Sequence, residues 1–222
     1  MPVEYGAVGA PSSTSAPDGS NQPVLQGKQG DFIYSELHGK YFTQNYRGNL
    51  FFGATAAAGL ANSIFSNTTF VGLMLWNPTG SGKLLSVVRA TAVMVGVGTT
   101  ALSSFGYSYL ANAGAGVATG APISAFTAIT ATRGACNAQV TGQGSSVALV
   151  GGGATLTTAM TWLRNSTFGT GTGAATVQLA TQGVEELDGT LIVPPGMIVA
   201  LTTDILNVGT FDSSLIWEEL PV

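Results

Sequence analysis

Between Phe70 and Val97 the chain reads FVGLMLWNPTGSGKLLSVVRATAVMVGV, and this stretch limits the fold more than any other. Two apolar runs, Phe70–Trp76 and Lys83–Val97, flank Asn77-Pro78-Thr79-Gly80-Ser81-Gly82. Proline fixes its own φ and donates no hydrogen bond, and glycine opens φ > 0, so the chain must turn between the runs. In the second run Leu85, Val87, Arg89 and Thr91 alternate with Leu84, Ser86, Val88, Ala90 and Ala92. The period is close to two, with apolar residues on both faces. The spacing predicts a β-hairpin at the centre of a buried sheet.

The same turn carries Gly80-Ser81-Gly82-Lys83, which has the outline of a phosphate-cradling loop. That loop needs a glycine where Asn77 stands and a hydroxyl where Leu84 stands, and a helix should follow rather than a strand. The match fails on all three counts.

Glycine clusters repeat this punctuation along the chain, at Gly142-Gln143-Gly144, Gly151-Gly152-Gly153 and Gly169–Gly173. Between them Ala101–Leu110, Ile123–Thr132, Asn137–Thr141, Ser146–Val150, Thr155–Leu163 and Ala175–Ala180 read as strands. Thr55–Asn67 reads as a short helix or a loop, and Thr181–Asp188 as a polar connection. Strands at roughly 10-residue spacing with turn signals between them indicate a sandwich or barrel. Leu191–Val193, a Pro194-Pro195-Gly196 corner, an apolar strand from Met197 to Thr202 and a last strand over Ser214–Glu219 suit the end of an antiparallel jelly roll. Trp76 and Trp217 are the expected core anchors of the first and last of these strands.

Ahead of the strands, residues 1–29 form an arm. Pro2, Pro11, Pro17 and Pro23 among Gly, Ser, Ala and Thr cannot build a core. Stretched out at roughly 3.3 Å per residue, such a segment reaches up to about 100 Å, enough to cross a neighbouring subunit. The predicted sandwich domain is 30–222. It opens with Phe32, Tyr34, Tyr41, Phe42, Tyr46, Phe51 and Phe52, a density of rings that suits an interface or a core equally. Phe32, Tyr34, Tyr41, Phe42, Tyr46 and Arg47 are the interface candidates.

Surface chemistry sharpens this. Charged residues make up 8% of the 222, against a usual figure of about 25%, and mean hydropathy is +0.35. A monomer in water coats itself in far more Lys and Glu. The chain is therefore expected to bury surface against other copies, most simply as a homotrimer. All eleven acids lie in Glu4–Glu36 or Glu185–Glu219, and six of the seven basic residues lie between them. Complementary ends and body of this kind can set the register between subunits. No basic cluster points to nucleic acid. No run approaches the ~18 apolar residues of a spanning helix, and the first residues lack the pattern of a signal peptide. No membrane partner is expected, and the product should stay in the host cytoplasm or leave with a particle.

Gly30–Thr55 (GDFIYSELHGKYFTQNYRGNLFFGAT), Gly72–Lys83 (GLMLWNPTGSGK) and the closing Leu191–Pro221 resemble jelly-roll structural proteins of short-tailed bacteriophages. The likeness covers about a third of the chain and rests on turns and strand anchors. What it implies is a virion component on the capsid surface, with the major capsid protein as partner and no catalytic residue to carry over. A cement or decoration protein is the first expectation. A receptor-binding or fibre-head module and a major coat subunit are the alternatives.

Catalytic chemistry finds little to work with. His38 is the single histidine and Cys136 the single cysteine. Neither has zinc-ligand company, and no Gly-x-Ser-x-Gly elbow presents a nucleophile to His38. His38 reads as a turn residue and Cys136 as a small buried apolar group. Glu185, Glu186 and Asp188 lack the alternation of a cation loop. Glu218 and Glu219 are strand neighbours and point to opposite faces. Asn67-Thr68-Thr69 and Asn165-Ser166-Thr167 match the glycosylation pattern without a secretion signal to give it meaning. The expectation is no enzyme, no metal and no cofactor.

Overall fold

The computed structural model describes residues 40–41, 44–45, 48–55, 58–98, 104–111, 123–128, 134–135, 146–166, 182–205 and 209–222. Contacts divide the chain into two units, Met1–Phe42 and Thr43–Val222. Of the first, Lys40 and Tyr41 are described, with the Lys40 ammonium 5.1 Å from the centre of the Tyr41 ring.

The second unit is all-β. Its strands are β1 (Leu50–Ala54), β2 (Leu60–Ala61), β3 (Thr69–Trp76), β4 (Lys83–Val97), β5 (Phe105–Ala111), β6 (Ile123–Ala128), β7 (Gly134–Ala135), β8 (Leu149–Leu156), β9 (Thr161–Asn165), β10 (Gln182–Val193), β11 (Met197–Thr203) and β12 (Gly209–Pro221). They form two antiparallel sheets. The first has the order β10-β4-β12-β1-β7, with β2 also on β12; the second has the order β6-β8-β3-β11-β5-β9.

The apolar runs on either side of Asn77 are strands with the expected bounds, but they are not a hairpin. β3 pairs with β8 and β11 in the second sheet, whereas β4 pairs with β10 and β12 in the first. The turn between them is an arch from sheet to sheet. The Pro194-Pro195-Gly196 corner is a second arch, carrying β10 of the first sheet into β11 of the second. Because β3 pairs with β11 and β4 with β10, the two arches lie side by side on one folded ribbon. Asn77, fully buried, holds them together. Its side-chain amide donates to the carbonyls of Lys83 and Val193, both at 2.8 Å, its N–H donates to Met197 O at 2.9 Å, and its carbonyl accepts from Gly196 N at 2.7 Å.

One core cluster draws on both sheets. Phe51, Leu85, Val87, Leu191, Phe211, Leu215 and Trp217 come from the first, and Leu73, Leu75, Phe105, Tyr107, Val150, Val199 and Leu201 from the second. Phe105 and Phe211 meet across the gap with centroids 5.1 Å apart, and Phe51 stacks on Trp217 at 6.2 Å. A second cluster covers the other face of the second sheet, with Phe70, Met74, Leu110, Leu156, Met160 and Ile198. Apolar residues on both faces of β3 and β11 reflect this arrangement, since that sheet is buried on both sides.

Two other expectations change. Gly151-Gly152-Gly153 is not a turn but the middle of β8, paired with β3 on one side and β6 on the other. Interstrand hydrogen bonds hold the glycines extended, where propensity alone favours a break. Of the expected connection Thr181–Asp188, the described part, 182–188, is the first half of β10, whose register with β4 runs from Gln182↔Val93 to Glu186↔Arg89. Glu185 is buried and Glu186 exposed there, so the paired acids conceal a period of two. In Thr55–Asn67 a two-residue strand and the bridge Ile64↔Thr203 stand where a helix or loop is expected. Asn137–Thr141 and Ala175–Ala180 lie outside the described residues.

Candidate functional site

Tyr107 lies on β5 of the second sheet and Glu185 on β10 of the first, and both are buried. The Tyr107 hydroxyl donates to Glu185 Oε2 at 2.8 Å, and Arg164 Nη2 on β9 donates to Glu185 Oε1 at 2.9 Å. The Arg164 guanidinium also sits 5.2 Å from the centre of the Tyr107 ring. Burial, then the hydrogen bond to Glu185 and its charge, push the Tyr107 hydroxyl well above its ordinary value, with Arg164 opposing. Both carboxylate oxygens are engaged, so Glu185 closes the seam between two sheet edges rather than offering a base.

Local sequence explains how Arg164 gets there. Any side chain at Gly106 would place its Cβ 2.4 Å from Arg164 O and 2.7 Å from the Trp162 ring, so glycine lets β9 close on β5. Leu163 is the extra residue where the register between β5 and β9 shifts, and this turns Arg164 toward the seam.

Elsewhere a second buried carboxylate ties the sheets together. Glu219 on β12 accepts from Ser146 Oγ at 2.5 Å and from the N–H of Val147 at 3.0 Å, just ahead of β8. Among the described residues no histidine accompanies this serine–carboxylate pair, and no group of three His, Cys, Asp or Glu could hold a metal. Its neighbour Glu218 faces the other way, as strand alternation requires. It sits in a row with Ser86 and Leu50, with Oε1 buried and unpartnered, and burial raises its pKa.

That outer face of the first sheet carries most of the exposed large apolar side chains. Val184 and Ile192 on β10, Val95 on β4 and Leu220 on β12 are 57%, 50%, 48% and 36% exposed. Among them Arg89 Nη2 and Glu186 Oε1 form a 2.6 Å ion pair, each about half exposed. The face is legible in the alternation of β4, but β10, which supplies half of it, is hidden by its acids.

Of the interface candidates, Tyr41 is half-buried beside Lys40, while Phe32, Tyr34, Phe42, Tyr46 and Arg47 lie outside the described residues. His38, Cys136 and the arm 1–29 lie outside them too. Trp217 is fully buried in the shared core. Trp76 is half-buried and packs against the second cluster, on the far face of the second sheet. No helix among the described residues is long and apolar enough to cross a membrane.

Compared with protein-family models, with curated proteins and with solved structures, the chain matches none.

Proposed function

We propose that the chain is a non-enzymatic structural protein of a virion, a cement or decoration protein that bridges neighbouring subunits on a capsid surface and acts as a homo-oligomer. The observation that carries this reading is a sheet face with Val184, Ile192, Val95 and Leu220 open to solvent on a chain with 8% charge. Such a surface gains from covering, and assembly supplies the cover. The jelly-roll reading is supported by the ribbon in which β3–β4 and β10–β11 pair along their length while arching from one sheet to the other. The proline-rich segment 1–29, too poor in apolar residues for a core, suits a tether laid across neighbours. A non-catalytic role accords with Glu185 and Glu219, whose buried oxygens are engaged in holding the sheets together.

The test is location and copy number on the particle. Antibodies against this chain should label purified virions over the whole shell, in many copies, and shells stripped of the protein should break at lower temperature. Labelling confined to the tail would replace the cement reading with the receptor-binding one, and unlabelled virions would end both.

A further inference from the structure

We infer that the outer face of the first sheet is a self-complementary surface on which a second copy of this chain docks about a twofold axis. The inference rests on the assembly reading above and adds to it the face used and its symmetry, a twofold in place of the three-fold expected from sequence.

Three features of this face select its occupant. First, the β4–β10 half of this face carries apolar side chains around one charged pair, while Asp212 and Glu218 lie toward β12. Val184 and Ile192 flank Glu186 along β10, and Glu186 stands opposite Arg89 on β4. A twofold axis through that pair brings Arg89 of one copy to Glu186 of the other and the reverse. Four charges of alternating sign then sit inside an apolar surround, and a patch that matches itself is what a twofold interface requires.

Second, the neighbouring edge is closed to strand addition. Between Glu186↔Arg89 and Leu191↔Val87 the β10 chain gains three residues over β4. Leu187–Thr190 bulges there, with Asp188 at φ 46° and Gly189 at φ 84°, closed by a bond from Thr190 Oγ1 to Leu187 O at 2.6 Å. A bulge with an exposed acid at its tip is how a sheet edge is kept from pairing with another strand. The partner therefore approaches the face, not the edge.

Third, two hydroxyls between β4 and β12 on this face bond to each other. Thr91 Oγ1 and Ser214 Oγ share a hydrogen bond, so covering them strands one hydroxyl proton rather than two. A β4–β10 surface of aliphatic side chains around a self-pairing ion pair is ready to be buried by its own copy, with Glu218 and Asp212 toward its β12 side.

The experiment measures mass in solution by light scattering across micromolar concentrations, using full-length protein. The wild type should run at twice the 22.4 kDa chain mass. Val184→Glu with Ile192→Glu should halve that mass with little change in melting temperature, because both side chains are already exposed. Arg89→Glu should do the same, by setting like charges opposite one another in every direction, and adding Glu186→Arg to it should restore the dimer. Leu163→Glu, an exposed apolar site on the second sheet, should leave the mass unchanged. A trimeric wild type, or face variants that keep the wild-type mass, overturns the twofold face while leaving the capsid reading to its own labelling test. A monomeric wild type overturns it as well, and virion labelling then decides separately whether the chain is a shell protein at all.

Discussion

The side-chain amide of Asn77 donates to the main-chain carbonyl of Val193 at 2.8 Å, across 116 residues of sequence, and the same nitrogen donates to Lys83 O. One buried amide thus closes both arches through which the chain passes between its sheets. Asn77→Ala would leave two buried carbonyls without donors, at roughly 1–3 kcal/mol for each. Asn77→Asp should be worse than Asn77→Ala, because a carboxylate would face two carbonyl oxygens. Denaturant unfolding of the two variants gives the order, and equal stability of wild type and Asn77→Ala would remove the amide from this role.

Asn77 also shows where sequence reasoning stops. The bounds of β3 and β4 are legible because unbroken apolar runs end at Trp76 and begin again at Lys83. Their separation into two sheets is not legible, since a six-residue turn with Pro78, Gly80 and Gly82 serves a hairpin or an arch equally well. What decides is the bond to Val193, and nothing local announces it. β10 is hidden for a different reason. A strand whose inward residues are Glu185 and Leu187 and whose outward ones are Val184 and Glu186 has no apolar alternation to find. Glu185 can face inward only because Tyr107 and Arg164, far away in sequence, meet it there. The opposite facing of Glu218 and Glu219 could be read from the period of two alone, and the partners of Glu219 could not.

The Tyr107–Glu185 bond makes the fold sensitive to alkali. Tyr107 ionises in the unfolded chain near the ordinary value of about 10, and well above that in the fold, because burial and Glu185 oppose the phenolate. Its contribution to stability is therefore complete below pH 10 and is lost as pH rises beyond it. Tyr107→Phe should lower stability at neutral pH by about 1–3 kcal/mol, since Glu185 Oε2 loses its donor. It should also flatten the fall in stability above pH 10. Tyrosinate absorbance followed through the unfolding transition checks both, and an identical alkaline slope in wild type and variant would count against the bond.

Glu218 is predicted to behave in the opposite manner to a salt-bridged acid. Burial raises its pKa in the fold, so the neutral form is favoured there. Stability from this source is present below the ordinary carboxylate range and is lost as pH rises through the raised value. Glu218→Gln should therefore stabilise the protein at pH 7 and much less at pH 4. The group is partly open to solvent, which limits the gain to under about 1 kcal/mol. Melting curves at the two pH values test it, and a destabilised variant at pH 7 would point to a bond made by the carboxylate.

The two tryptophans should not be equivalent. Trp217 is fully enclosed in the core shared by both sheets and stacks on Phe51, so Trp217→Ala removes contacts from strands on both sides. The usual range for such a deletion is about 3–5 kcal/mol. Trp76 is half-buried and packs against the cluster on the far face of the second sheet, where Phe65 and Met160 share the cover. Its deletion should cost less, roughly 0.5–3 kcal/mol, and leave the main core intact. Hydrogen exchange separates the two cases more sharply than melting does. Trp76→Ala should release protection in β3 and in the segment around Phe65 while β12 stays closed. Trp217→Ala should open β12, β4 and β1 together, because its side chain faces the core they share. If Trp76→Ala opens β12 as readily as β3, the two clusters unfold as one unit.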